Sequence, residues 1–286
     1  MVHQYKNNGY NILLDVNSGS VHVVDDLVYD MVPYYKEKGL EETVRLLKAK
    51  YPEEEIREAA EDLEELIQAG KLYTEDIYEN YIQEIVDAKK PVVKALCLHI
   101  AHDCNLACRY CFAEEGEYHG RRALMSYEVG RKALDFLIAN SGNRKNLEVD
   151  FFGGEPLMNW QVVKDLVAYG RSLEEPHHKK FRFTLTTNGV LLNDEIQEFL
   201  NKEMANVVLS IDGRKEVNDR MRPHRGGQGS YDEIVPKFQK LADSRGQFNY
   251  YARGTFTHYN LDFAEDVKHL ADLGFEQLSV EPVVAD

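Results

Sequence analysis

From Lys94 onward the chain alternates short apolar runs, rich in β-branched and aromatic residues, with longer stretches whose apolar residues recur at helical spacing. The runs are "VKALCLHIA", "LEVDFFGG", "FRFTLTTNG", "NVVLSIDG", "YYARGTFTH" and "FEQLSVEPVV". Between them lie "YEVGRKALDFLIAN", "NWQVVKDLVAYGRSLEE", "NDEIQEFLNKEM", "YDEIVPKFQKLADS" and "AEDVKHLADLG". A helical crossover brings the chain back as a parallel neighbour, with right-handed connections. Strand-helix alternation of this kind predicts an α/β fold with a parallel sheet, here a partial (β/α)6 barrel over residues 91–286. Such sheets bind ligands beyond the carboxyl ends of their strands.

Residues 1–90 read differently. "YNILLDV" and "GSVHVVD" are alternating runs joined by the turn "NSGS" and predict a hairpin. "DDLVYDMVPYYKEKG" carries acidic residues where a first helical turn would be and ends at Gly39, and "LEETVRLLKAK" continues at helical spacing. In "PEEEIREAAEDLEELIQAG", Pro52 suits the first turn; Ile56, Ala59, Ala60, Leu63, Leu66 and Ile67 form one stripe, and Gly70 suits the stop. A hairpin with three helices is a small α+β unit of winged-helix type. The linker is expected around "DAKKP".

A balance of 34 Lys and Arg against 49 Asp and Glu gives a net charge of -15, which repels phosphate backbones and argues against nucleic acid as the main partner. The same acidity in "PEEEIREAAEDLEELI" disfavours a DNA-binding winged helix. No signal peptide and no membrane-length apolar run stands out, so a cytoplasmic protein is expected, with no membrane partner.

Chemistry-bearing residues fall at the predicted strand ends. After the first strand come Cys104, Cys108 and Cys111 in "CNLACRYC"; after the second "GGEP", after the third "TTNG", after the fourth "SIDG"; the fifth strand carries Arg253. Three thiolates on a [4Fe-4S] cube leave one iron without a protein ligand, which a small chelator can take. The alternative is a Cys3His zinc site using His99 or His102, against which the Cys spacing argues. Cys97, alone within a strand, is expected to be a buried structural thiol. Arg253 is a charge inside an apolar strand run and must find a partner.

The C-x3-C-x2-C pattern with its companions resembles the radical S-adenosylmethionine (SAM) enzymes. That resemblance implies a [4Fe-4S] cluster on Cys104, Cys108 and Cys111. It also implies SAM chelating the open iron through its amino and carboxylate groups, and one-electron cleavage of the sulfonium C–S bond to a 5'-deoxyadenosyl radical. Tyr110 then stands where the family lays adenine. Gly153 and Gly154 let backbone approach the ligand, and Glu155 meets the SAM amino group. Thr187, Asn188, Ser210 and Asp212 are expected at the ribose and carboxylate, and Arg253 on the carboxylate or ribose.

"DGRKEVNDRMRPHRGGQGSY" is similar to the same region of peptide-modifying radical SAM enzymes with SPASM extensions, although Asn218 stands where those often have His. Arg222 could pair with a carboxylate there, while Arg214, Arg220 and Arg225 read as a solvated basic loop. The opening "HQYKNNGYNILLDVNSGSVHVVDDLVYDMV" resembles thioether-forming maturases of Cys-rich SCIFF peptides, so residues 1–90 are expected to be a peptide-recognition domain. The implied partners are a Cys-rich precursor peptide, held through its leader as an added strand, and a flavodoxin- or ferredoxin-type electron donor. The SPASM cysteines of that family are not in this sequence, so a truncated form with one cluster is expected. A radical SAM enzyme of another substrate, and a non-catalytic leader-binding fragment, are the alternatives.

Overall fold

A computed structural model of the chain describes residues 1–79, 81–88 and 92–284. Residues 89–91 of the expected linker lie outside the described residues. The chain divides into two compact units, Met1–Lys90 and Pro91–Asp286.

The first unit opens with an antiparallel sheet of β1 (Val2–Asn7), β2 (Tyr10–Asp15) and β3 (Ser20–Val24), in that order. The hairpin read from the sequence is β2–β3, and β1 is a strand it did not reveal. "VHQYKN" is too polar to show an apolar alternation, but the turn after it carries the signal: Asn8 and Gly9 both adopt positive φ, as a two-residue hairpin loop requires. Helix α1 (Asp26–Leu47) starts where Asp25 caps the Val28 N–H and is broken at Gly39, whose φ of 75° lies outside the helical region. Helix α2 (Glu53–Gln68) buries Ile56, Ala59, Ala60 and Leu63 against Leu13, Met31 and Val32, the stripe its spacing predicts. Helix α3 (Ile82–Ala88) follows.

The second unit is a seven-stranded sheet. Its strands are β4 (Ala95–His102), β5 (Ala123–Leu124), β6 (Asn146–Gly153), β7 (Lys180–Thr187), β8 (Met204–Ser210), β9 (Tyr250–Phe256) and β10 (Leu278–Pro282). The order is β10-β9-β8-β7-β6-β4-β5, parallel throughout except for short β5, which pairs antiparallel with the edge of β4. The crossovers are α4 (Tyr127–Asn140), α5 (Trp160–His177), α6 (Asp194–Glu203), α7 (Lys215–Met221), α8 (Tyr231–Ser244) and α9 (Phe263–Asp272). This is the parallel α/β partial barrel that the alternation predicts. Helix α7 lies where a loop was expected; "KEVNDRM" is too short and polar to show a period.

Strand parity separates two faces. Leu147, Val149 and Phe151 of β6 and Phe181, Phe183 and Leu185 of β7 are buried in the main core under the helices. Phe183 stacks with Phe151 and Phe181 at centroid distances of 5.5 and 5.6 Å. Each buried Phe contributes about 1.5–3 kcal/mol. Residues of opposite parity, among them Cys97, Asp150, Val208 and Arg253, line a cavity instead. Among the described residues no helix is long and apolar enough to cross a membrane.

Candidate functional site

The cavity occupies about 590 Å3 and reaches the carboxyl ends of the parallel strands. Ten of the residues expected at the site line it: Cys104, Cys108, Tyr110, Cys111, Gly153, Gly154, Asn188, Ser210, Arg222 and Arg253. Glu155, Thr187 and Asp212 stand behind its wall and are 0%, 1% and 3% exposed.

The cysteine loop leaves β4 and is stitched to its surroundings by backbone. Ala107 N–H donates to Pro223 O at 2.8 Å and Arg109 N–H to Met221 O at 2.9 Å, while Leu106 bridges to His224. Cys104 is buried; its Sγ accepts from Leu106 N–H at 3.5 Å and Asn188 Nδ2 at 3.6 Å. Burial, and then the charge of Glu155, push the Cys104 thiol up to about 12, and burial likewise raises Cys108 against the Arg222 guanidinium. Thiols held neutral by burial become thiolates when a cationic centre is bound beside them. Among the described residues no three His, Cys, Asp or Glu side chains are grouped as for a single metal ion. Three thiols spread around one cavity fit a larger group, an iron–sulfur cube.

The Gly-Gly wall is as close as backbone allows. Gly153 adopts a φ of 125°, and a Cβ at Gly154 would collide with the Asp103 carbonyl. Gly154 N–H and Glu155 N–H bond to Ala101 O and Asp103 O at 2.8 and 2.9 Å, tying the end of β6 to the start of the cysteine loop.

Glu155 does not face the cavity as expected. Its carboxylate accepts from Leu157 N–H at 3.0 Å, Thr187 Oγ1 at 2.9 Å and Asn188 N–H at 2.8 Å, so it joins the loops after β6 and β7. Burial pushes its carboxyl up to about 7, with these bonds opposing. Thr187 Oγ1 also accepts from Gly189 N–H, which accounts for its place behind the wall.

Asp212 is used in the same way. Tyr110 Oη donates to it at 2.9 Å, Thr255 N–H at 3.1 Å, and its own N–H bonds Asn218 Oδ1. Tyr110 thus offers a ring to the cavity while its hydroxyl is locked to the end of β8; Arg222 Nη1 donates to the same hydroxyl at 2.5 Å. Asn218, the departure from the family pattern, is fully buried and also bonds Ser230.

Arg220 and Arg225 of the basic loop are exposed, as a solvated loop implies, and Arg214 is half-buried, but each has a partner. Arg214 pairs with buried Asp266 at 2.8 Å, Arg225 with Asp103 at 2.7 Å, and Arg220 lies over the Tyr259 ring.

Arg253 has its partner in Glu281 on neighbouring β10, and both reach the cavity. Cys97 is exposed to the cavity rather than buried, because its strand parity puts it on the concave face. Asp150, its register partner on β6, is a residue that sequence reasoning missed. It carries a buried, unpartnered Oδ1 among the described residues and a carboxyl pushed up to about 6 by burial, with Arg253 opposing. A charge inside the apolar run "LEVDFFGG" is the signal that would have found it.

Solved structures and curated proteins share this fold. The protein is similar to anSMEcpe solved with bound AdoMet (TM-score 0.60, 21% identity, 68% of this chain and 52% of that one), a protein also solved with AdoMet and a Kp18Cys peptide. It is similar over 100% of its length to SuiB of Streptococcus suis, 62% of which is covered (TM-score 0.53, 17% identity). It is 28% identical over 194 residues to the radical SAM cyclopropyl synthase TigE of Paramaledivibacter caminithermalis, covering 61% of this chain and 39% of TigE. The chain thus spans about half the length of the relatives it matches. The family profile of the Radical SAM superfamily matches residues 98–270, more than half of the chain, and the chain belongs to that superfamily, whose members bind a [4Fe-4S] cluster and SAM.

Proposed function

We propose that the chain carries the SAM-cleaving core of a peptide maturase that installs thioether cross-links, Cys sulfur to carbon of a Thr, in a ribosomally made Cys-rich peptide. The observation that carries the chemistry is the convergence of three thiols, a Gly-Gly wall and Ser210 on one cavity at the ends of parallel strands. Cys104, Cys108 and Cys111 would hold the cluster, and cluster and SAM together supply one-electron cleavage of a sulfonium C–S bond. Gly153, Gly154, Asn188 and Ser210 would receive the polar end of SAM and Tyr110 its adenine. Glu155 and Asp212 hold these loops in place.

A peptide substrate is supported by the Kp18Cys peptide bound to anSMEcpe. Strand β3 is an edge with exposed Val21 and Val23, suited to a leader that adds as a fourth strand. The reductant in this reading is a flavodoxin- or ferredoxin-type protein.

The test has two arms. Anaerobically reconstituted and reduced protein is expected to turn SAM into 5'-deoxyadenosine, and the Cys104→Ala, Cys108→Ala, Cys111→Ala triple variant is not. Titration of the chain with leader-bearing Cys-rich peptides is expected to saturate. Failure of every such peptide to bind removes the peptide reading and leaves the SAM chemistry standing.

A further inference from the structure

Arg222 is the sole buried Lys or Arg among the described residues, 8% exposed in a chain of net charge -15. Its place is set by backbone: the bonds from Ala107 and Arg109 to Pro223 and Met221 flank it, so it stands directly across from Cys108. Nη1 is held by the Tyr110 hydroxyl, and Asp212 lies 3.8 Å away. Nε is buried without a partner among the described residues, in a side chain that lines the cavity with all three thiols.

Sealing a cation away from water costs several kcal/mol, and a single carboxylate, itself shared with Tyr110 and Thr255, compensates only part of that. The remaining compensation has to come from negative charge in the cavity. A cluster on three thiolates is anionic and gains one more negative charge on reduction.

We propose that Arg222 tunes the cluster: its guanidinium, fixed across from Cys108, favours the reduced state and raises the reduction potential. This rests on the reading of the three cysteines as cluster ligands. Arg222 then serves the cluster as a fixed charge, a different role from receiving the carboxylate of SAM. Low dielectric around the buried pair makes one charge worth at least a tenfold change in the equilibrium over several ångströms.

The experiment is a redox titration of the anaerobically reconstituted chain, followed by the EPR signal of the reduced cluster. Removing the charge in Arg222→Gln is expected to lower the reduced fraction at fixed potential tenfold or more, a midpoint fall of about 59 mV for one electron. Arg222→Lys, which keeps the charge, is expected to recover most of that shift. Asp212→Asn, which removes the opposing charge without changing shape, is expected to move the midpoint upward.

A midpoint unchanged in Arg222→Gln, a shift in Arg222→Lys as large as in Arg222→Gln, or no upward shift in Asp212→Asn overturns the proposal. If Arg222→Gln fails to load iron, the other two variants decide it. Iron and sulfide of about four each in the parent chain check the ligand reading separately: a parent without a cluster refutes that reading and the role of Arg222 with it, whereas a loaded parent whose midpoint ignores Arg222→Gln refutes the role of Arg222 alone.

Discussion

The two walls of the cavity are built on opposite plans. On the loop side, Glu155 and Asp212 spend their polar atoms on neighbouring loops, so that the ends of β4, β6, β7 and β8 are tied into one cradle. On the strand side, Cys97 is exposed, Arg253 and Glu281 are each about half exposed, and Asp150 keeps an unpartnered oxygen. The difference teaches how such a site divides its work. The loop wall is cross-linked by its own hydrogen bonds, which lowers the cost of ordering it around a cofactor, while the strand wall keeps polar groups on the cavity surface.

Substitutions sharpen the contrast, because the loop wall should register in stability and the strand wall should not. Glu155→Ala strands three buried donors and is expected to destabilise the chain by about 3 kcal/mol, read as a lower denaturant midpoint at pH 8. Tyr110→Phe removes the hydroxyl between Asp212 and Arg222 and should cost about 1–1.5 kcal/mol in the same assay.

Asp150→Asn should act in the opposite sense. A carboxyl whose folded pKa is raised to about 6 weakens the fold once it ionises. That cost is absent below the unfolded value of about 4 and complete above about 6. Discounted for partial exposure, the variant should gain about 1 kcal/mol at pH 8, with the gain fading toward pH 4. Ser210→Ala, on the cavity surface, should fall within about 0.5 kcal/mol of the parent. A loss at Asp150 or Ser210 as large as that at Glu155 would break the distinction between the walls.

How much of this was legible depended on period and parity. The helix over Tyr231–Ser244 and the stripe of α2 were readable because long amphipathic segments repeat their signal. β1 was not, since an edge strand with Gln4, Lys6 and Asn7 has no apolar alternation to show. That "GGEP", "TTNG" and "SIDG" close strands was legible, because they are turn chemistry at fixed places in a βα unit. What a motif does not carry is the direction of its side chain. Glu155 and Asp212 turn inward to satisfy buried backbone donors, and only the packed loops determine that. Cys97 and Asp150 failed for a simpler reason: a strand run in a curled sheet has a second face that a count of apolar residues hides.

The ladder between residues 106–109 and 221–224 has a consequence for biogenesis. The cysteine loop is synthesised early, yet the strand of chain that braces it emerges more than a hundred residues later. Contacts of such long range form late, since loop closure must precede them. A nascent chain stopped before Met221 would present its three cysteines without the segment that pairs with their loop.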